Sequence, residues 1–282
     1  MIPAPFDYVV PTSLDGALAA LRDGGEDAKL LAGGHSLMPL MKLRLAVPSL
    51  LVDLRHVPGL QGIQRENGSW RIGPLVRHAD LQVRPELGVL ATTAKLIADQ
   101  QVRNRGTIGG SLAHGDPASD LPTVLSATEG TVSVRNAAGA VREITAEDLF
   151  VDYLTTSIAA DEVITEVRIG AFDGWGHAYE KFTRRAEDWA MVGVCALVRR
   201  ADDGSCADAR VAFTNMASTP IRARAVESAL IGGALDADAI RTAAEHAADG
   251  TEPPADLNAS ADYKRHLARV LTRRALERAA AA

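Results

Sequence analysis

Leu14, Leu18 and Leu21 recur at helical spacing behind Ser13, a residue type that caps helix N-termini, and Gly24 stands where such a helix should stop. Ala28 to Ala32 is a short strand-like run that ends abruptly at Gly33-Gly34-His35-Ser36. Leu37 to Leu45 reads as a short helix with Pro39 tolerated in its first turn, and Leu50 to Leu54 as a second buried strand. Residues 1–54 therefore predict a small βαβ-like unit whose crossover opens on a glycine pair.

Further along, Trp70 to Gly73 reads as a strand. Glu86 to Asp99 places Leu87, Leu90, Ala91, Ala94, Ile97 and Ala98 on one helical face. Residues 131–144 have the pattern of a hairpin turning near Asn136 to Gly139, and Thr145 with Asp148 opens one helical turn in the manner of a capping box. Val163 to Ile169 alternates as a strand. The pattern breaks at Ala171 to Gly176, which divides the chain into residues 1–174 and 175–282. Beyond the break, strands are predicted at His177 to Phe182, Ala190 to Arg199 and Ala209 to Asn215. Helices follow, the last from about Ala261 with Leu267, Val270, Leu271 and Leu276 on one face. No internal repeat is present. Strands followed by helices, with little clean βαβ alternation, predict an α+β fold rather than a doubly wound sheet.

Composition narrows the function classes. A net charge of −6 argues against nucleic acid, which needs a basic face. The two cysteines, Cys195 and Cys206, lack Cys-x-x-Cys spacing, so no zinc or iron–sulfur site is expected on this chain, and free thiols are expected over a disulfide. No run of about 18 apolar residues occurs, and Met1 to Phe6 has no signal-peptide character. A cytoplasmic chain is expected, membrane-peripheral only through a partner.

The chemistry concentrates in two loops: Ala32-Gly33-Gly34-His35-Ser36, and Thr107-Ile108-Gly109-Gly110-Ser111 with the following His114 to Pro122. Glycine lacks Cβ, so the backbone can approach a phosphate and aim successive amides at it; Ser36, Thr107 and Ser111 add hydroxyl donors. Two such loops suit a dinucleotide. Neither supplies the lysine of a Walker loop. Asp53 lies 20 residues after Gly33, but the glycine spacing is not that of a Rossmann fingerprint.

On these residues the chain resembles the flavin subunit of molybdenum hydroxylases, the xanthine dehydrogenase family. Leu37 to Arg44, Pro117 to Pro122 and Tyr179 to Arg185 carry the likeness further. The resemblance spans essentially the whole chain, whose length is similar to the separate medium subunit of the carbon monoxide dehydrogenase type. It implies a PCMH-type FAD-binding domain of two α+β subdomains, a smaller C-terminal α+β domain, and a flavin in the cleft between them. The contacts it implies are Lys29, Leu30, Leu31, Ala32, Gly33, Gly34, His35 and Ser36 in the first segment. In the second they are Gly106, Thr107, Ile108, Gly109, Gly110 and Ser111, joined by His114, Asp120, Ile164 and Lys181. It also implies partners: a large molybdopterin subunit and a small subunit with two [2Fe–2S] clusters, in a dimer of heterotrimers. Electrons would pass through the clusters to FAD and on to a quinone, NAD or oxygen.

Several positions admit a plainer reading. Glycine pairs make tight turns without any ligand. Asp120 can cap the helix that follows it, or accept hydrogen bonds from the flavin or its ribityl chain. Lys181 can be a surface lysine, or a cation at the flavin pyrimidine edge that favours the reduced anion. His35 stands where related folds of the vanillyl-alcohol-oxidase type tether FAD covalently, although the molybdenum-hydroxylase resemblance favours a non-covalent loop residue. Lys264, Arg265, Arg269, Arg273, Arg274 and Arg278 are expected to form a solvated basic face on the last helix. A self-sufficient oxidase tethered at His35 and a non-catalytic nucleotide-binding module remain as alternatives to the electron-transfer subunit.

Overall fold

The computed structural model describes residues 2–282. The first subdomain comprises β1 (Asp7–Val9), α1 (Leu14–Gly24), β2 (Ala28–Leu31), α2 (Leu37–Lys42) and β3 (Leu50–Asp53). Its strands form a parallel sheet in the order β1-β3-β2. Ser13 caps α1 by accepting the amide of Gly16, and Ala17, Leu18 and Leu21 are buried against β3. The helix predicted over Leu37 to Leu45 stops at Lys42. Arg44 adopts φ +58° there, and the Leu45 amide reaches back to the Leu40 carbonyl at 2.9 Å, closing the helix with a left-handed cap.

The second subdomain begins with β4 (Ile63–Glu66) and β5 (Ser69–Ile72). Helices α3 (His78–Gln82), α4 (Val89–Ala94), α5 (Gln100–Arg103), α6 (Ile108–His114) and α7 (Asp120–Ala127) follow. Then come β6 (Thr131–Asn136), β7 (Val141–Thr145), α8 (Ala146–Leu149), β8 (Phe150–Asp152), β9 (Thr155–Thr156) and β10 (Glu162–Gly170). The main sheet runs β4-β5-β10-β6-β7 and is antiparallel, with a bulge in β10 between Ile164 and Glu166. The single helix expected over Glu86 to Asp99 is broken. Gly88 at φ +57° separates a turn at Pro85–Leu87 from α4, and Asp99 caps α5 by accepting the Val102 amide. Leu87, Leu90, Ala91 and Ala94 are buried as the spacing implied, but Ile97 and Ala98 are freed to line a cavity.

The remaining elements are β11 (Gly176–Phe182), β12 (Val192–Arg200), β13 (Cys206–Thr214), β14 (Ile221–Arg222), α9 (Arg224–Leu230), α10 (Ala237–Glu245) and α11 (Ala261–Ala281). The four strands form an antiparallel sheet in sequence order. In β12, Val192, Val194, Ala196 and Val198 pack with the helices, while Cys195 and Leu197 pack with the second subdomain. A strand covered on both faces reads as an unbroken apolar run, as this one does. Both cysteines are free and buried.

The basic face expected on α11 is only partly solvated. Lys264 is fully buried and paired with Asp256 at 2.7 Å, and Arg278 pairs with Glu180 of β11 at 2.5 Å. With Arg269, which donates to the Glu245 carbonyl at 3.2 Å, three of the cations tie the helix to the body of the protein. Among the described residues no helix is long and apolar enough to cross a membrane.

Candidate cofactor-binding site

The first glycine loop leaves the C-terminal end of β2, the edge at which parallel α/β sheets bind ligands. The second enters α6, far away in sequence, yet the two meet backbone to backbone. A Cβ on Gly33 would lie 2.3 Å from the Arg105 carbonyl oxygen and 2.8 Å from Gly106 Cα. Only glycine permits that approach. Gly109 has the same function against another segment, where a Cβ would lie 2.4 Å from Pro74 Cβ.

The loops differ in what their amides do. In the second loop, Ile108 donates to the Val76 carbonyl at 3.0 Å, Gly109 to Pro74 at 2.9 Å, and Ser111 to Thr107 at 3.0 Å. Gly110 donates to Thr107 Oγ1 at 3.2 Å, so Thr107 is the cap of α6. The expectation that this loop aims successive amides at a phosphate is therefore corrected: the N–H groups of Ile108, Gly109, Gly110 and Ser111 are satisfied within the protein. In the first loop the amides of Gly33, Gly34, His35 and Ser36 have no hydrogen-bond partner among the described residues. Asp53 is occupied elsewhere, accepting from Tyr8 at 2.6 Å and from the Arg55 side chain at 2.7 Å. That removes it as a ribose-binding acid.

Both loops border a cavity of about 570 Å³, within the usual range for small-ligand sites. Lys29 to Ser36 line it, as do Gly106, Thr107, Gly109, Gly110, Ser111, His114, Asp120, Ile164 and Lys181. Among the candidates only Ile108 is absent from the wall; its side chain is in the core, 1% exposed. Ile164, beside the bulge in β10, borders the cavity together with its neighbour Val163. Sequence reasoning missed His78, the apolar wall residues Leu54, Leu75, Ile97 and Val102, and Glu187 to Trp189 from the β11–β12 connection. No spacing rule marks these positions, although His78 directly after Arg77 at a helix start was a readable polar interruption.

The electrostatics centre on two groups. Lys181 is no surface lysine: its Nζ donates to Asp120 Oδ2 at 2.9 Å and to the Leu96 carbonyl at 3.2 Å, with its side chain 6% exposed. Asp120 is the first residue of α7 rather than its cap, and also accepts from the Tyr179 hydroxyl at 2.8 Å. Burial pushes the Asp120 carboxyl up, against the opposing pull of Lys181 and Tyr179. His78 has an orphaned, buried Nδ1. Burial, with His35 and Arg103 nearby, brings its pKa down to about 4, so it is a neutral imidazole at pH 7.

Residues 4–171 match the family described as the FAD binding domain in molybdopterin dehydrogenase, and residues 177–279 match the CO dehydrogenase flavoprotein C-terminal domain. The chain is 43% identical to the carbon monoxide dehydrogenase medium chain of Hydrogenophaga pseudoflava, over 99% of this chain and 98% of that one. It is 40% identical to the 6-hydroxypseudooxynicotine dehydrogenase complex subunit alpha of Paenarthrobacter nicotinovorans, covering 99% and 96% of the two chains. A solved Hydrogenophaga pseudoflava carbon monoxide dehydrogenase, lacking the Mo-pyranopterin moiety, superposes with a TM-score of 0.95 at 44% identity, covering 100% of this chain and 99% of that one.

Proposed function

This chain belongs to the family of FAD-binding flavoprotein subunits of molybdopterin dehydrogenases, and from that premise we propose that it binds FAD without a covalent bond and relays electrons. The observation that carries the site assignment is the first loop, whose unpartnered amides open onto the cavity. The loop is half-buried to exposed, so water reaches these donors in the free chain, and a diphosphate can replace that water at several of them at once. His78, on the same wall, has a buried Nδ1 with no protein partner. The residues present thus fit the group.

In this reading Gly33 and Gly34 hold the diphosphate on the first loop, and Ser36 and Ser111 donate from either side. Gly109 and Gly110 shape the opposite wall rather than donating amides. Ile164, Leu54 and Leu75 supply apolar surface that excludes water, and the Asp120–Lys181 pair faces the cavity from the junction with the C-terminal sheet. When bound, FAD supplies exchange between two-electron and one-electron carriers. Electrons arrive from the iron–sulfur clusters of a small partner subunit, themselves fed by a large molybdopterin subunit. They leave to an external acceptor, a quinone, NAD or oxygen. The assembly is a dimer of heterotrimers in the cytoplasm, and this chain contributes an FAD domain, 1–174, and a C-terminal domain, 175–282. Relatives of about equal identity carry names with different substrates, so the substrate is set on another polypeptide.

The test is the absorbance of the purified full chain, then acid precipitation, then metal analysis of the tagged chain with whatever co-purifies. A flavin spectrum, yellow supernatant, and co-purified iron and molybdenum are expected. Colour held in the pellet would place a covalent bond on His35 instead. A folded chain that stays colourless with added FAD would sink the proposal.

A further inference from the structure

A line of buried hydroxyls runs away from the cavity behind Asp120. Tyr179 of β11 donates to Asp120 Oδ1 at 2.8 Å and lies 2.7 Å from Thr214 Oγ1 of β13. Thr214 in turn lies 2.6 Å from Thr123 Oγ1 of α7. Thr123 and Thr214 are fully buried and Tyr179 nearly so. Each hydroxyl has one proton. With Asp120 ionised, Tyr179 donates its one hydrogen bond to the carboxylate, so Thr214 must donate to Tyr179 and Thr123 to Thr214. The geometry admits a one-way stack in which three donors are aligned on one carboxylate.

Gly193 makes room for this stack. It sits inside β12, where glycine weakens a strand, and a Cβ there would lie 2.6 Å from the Tyr179 hydroxyl and 2.8 Å from Thr214 Oγ1. The stack also crosses between the two halves of the chain: Asp120 and Thr123 come from α7, Tyr179, Lys181 and Thr214 from the C-terminal sheet. Asp120 therefore meets its donors only when the two halves are docked.

We propose that Tyr179, supported by Thr214 and Thr123, is a positioning residue that keeps Asp120 ionised against Lys181 and thereby holds the reduction potential of the bound flavin down. The proposal rests on the assignment of the cavity to FAD. Taking up two electrons and one proton adds one negative charge to the flavin. A lone Lys181 cation would favour that charge; a carboxylate at 2.9 Å offsets the cation and opposes it. A charge-assisted hydrogen bond from a buried tyrosine is among the stronger stabilisers of a carboxylate, so its loss shifts the pair toward an uncompensated cation.

The experiment is redox potentiometry of the FAD-loaded full chain, preceded by measurement of flavin per chain. Asp120→Asn, which keeps the shape but removes the charge, should raise the midpoint potential most. Tyr179→Phe should raise it less, Thr214→Val less again, and Tyr179→Phe added to Asp120→Asn should give no further shift. Tyr179→Phe with full flavin content and the wild-type potential would overturn the proposal. So would a Tyr179→Phe shift that persists undiminished beside Asp120→Asn. If Tyr179→Phe fails to fold, Thr214→Val decides alone: an upward shift supports the proposal and an unchanged potential overturns it. A folded wild-type chain that takes up no FAD overturns the cofactor assignment itself, a result distinct from flavin bound at an unaltered potential.

Discussion

The two glycine loops look nearly interchangeable in sequence, yet one lines the cavity with unpartnered amides and the other satisfies those of Ile108 to Ser111 internally. Ala32 to Ser36 leaves a strand, and its donors find no protein acceptor; Thr107 to Ser111 starts a helix and pairs its donors with Pro74, Val76 and Thr107. A Gly-Gly pair is therefore compatible with two functions. In the first loop it leaves the backbone amides unpaired beside the cavity, and in the second it lets α6 press against the Pro74 backbone. Gly33 does both, since it also brings the loops together.

The largest effect is expected where the second loop is packing alone. Gly109→Val has no room against Pro74 and should cost about 3 kcal/mol or more, lowering the melting temperature of apo and FAD-loaded protein alike. A variant of wild-type stability would show that the close approach is not required. Gly110→Val is the contrasting case. Its Cβ would meet chiefly Thr107 Oγ1 at 2.9 Å, on the cavity side, so the variant should keep its circular dichroism and lose its flavin absorbance. Normal FAD content in that variant would reassign the wall.

His78, packed against Gly106 beneath the second loop, supplies a pH test. Its folded pKa of about 4 lies below the ordinary histidine value, so between pH 6.5 and 4 the unfolded chain binds a proton that the folded one refuses. Its contribution to stability is present above 6.5 and is lost as pH falls toward 4, by roughly 3 kcal/mol. Urea titration of the apo chain at pH 7 and pH 4.5 should show the loss, and His78→Leu should lose less between the same two pH values. An equal loss in the variant would remove His78 as the cause. The smallest effect is at the cap. Thr107→Ala should cost about 1 kcal/mol of stability, restored by Thr107→Ser, because a hydroxyl is needed only to hold the Gly110 amide.

Much of the site was legible in the chain because its backbone demands are local. Gly34 at φ +80°, the strand Ala28–Leu31, the Ser13 cap and the alternation in β10 are conformations that neighbouring residues select. Where the reading failed, the helical period hid a backbone turn or a partner lying off the helix. Gly88, at φ +57°, broke the helix expected over Glu86 to Asp99, a turn that the apolar spacing on either side of it did not mark. Lys264 looked like one cation of a solvated face, but it is buried and reaches outward to the exposed Asp256.

The sequence by itself determined the α+β succession of elements, the two glycine turns and the family they mark, since hydrophobic period and turn chemistry act over a few residues. Only the tertiary structure decided which loop has free amides, that Lys181 is paired with Asp120, and that Tyr179 and two threonines stand behind that pair. Hydrogen-bond satisfaction and charge compensation depend on the groups brought alongside by the fold, and apart from the local bonds to Thr107 those partners lie from 32 to 91 residues away along the chain.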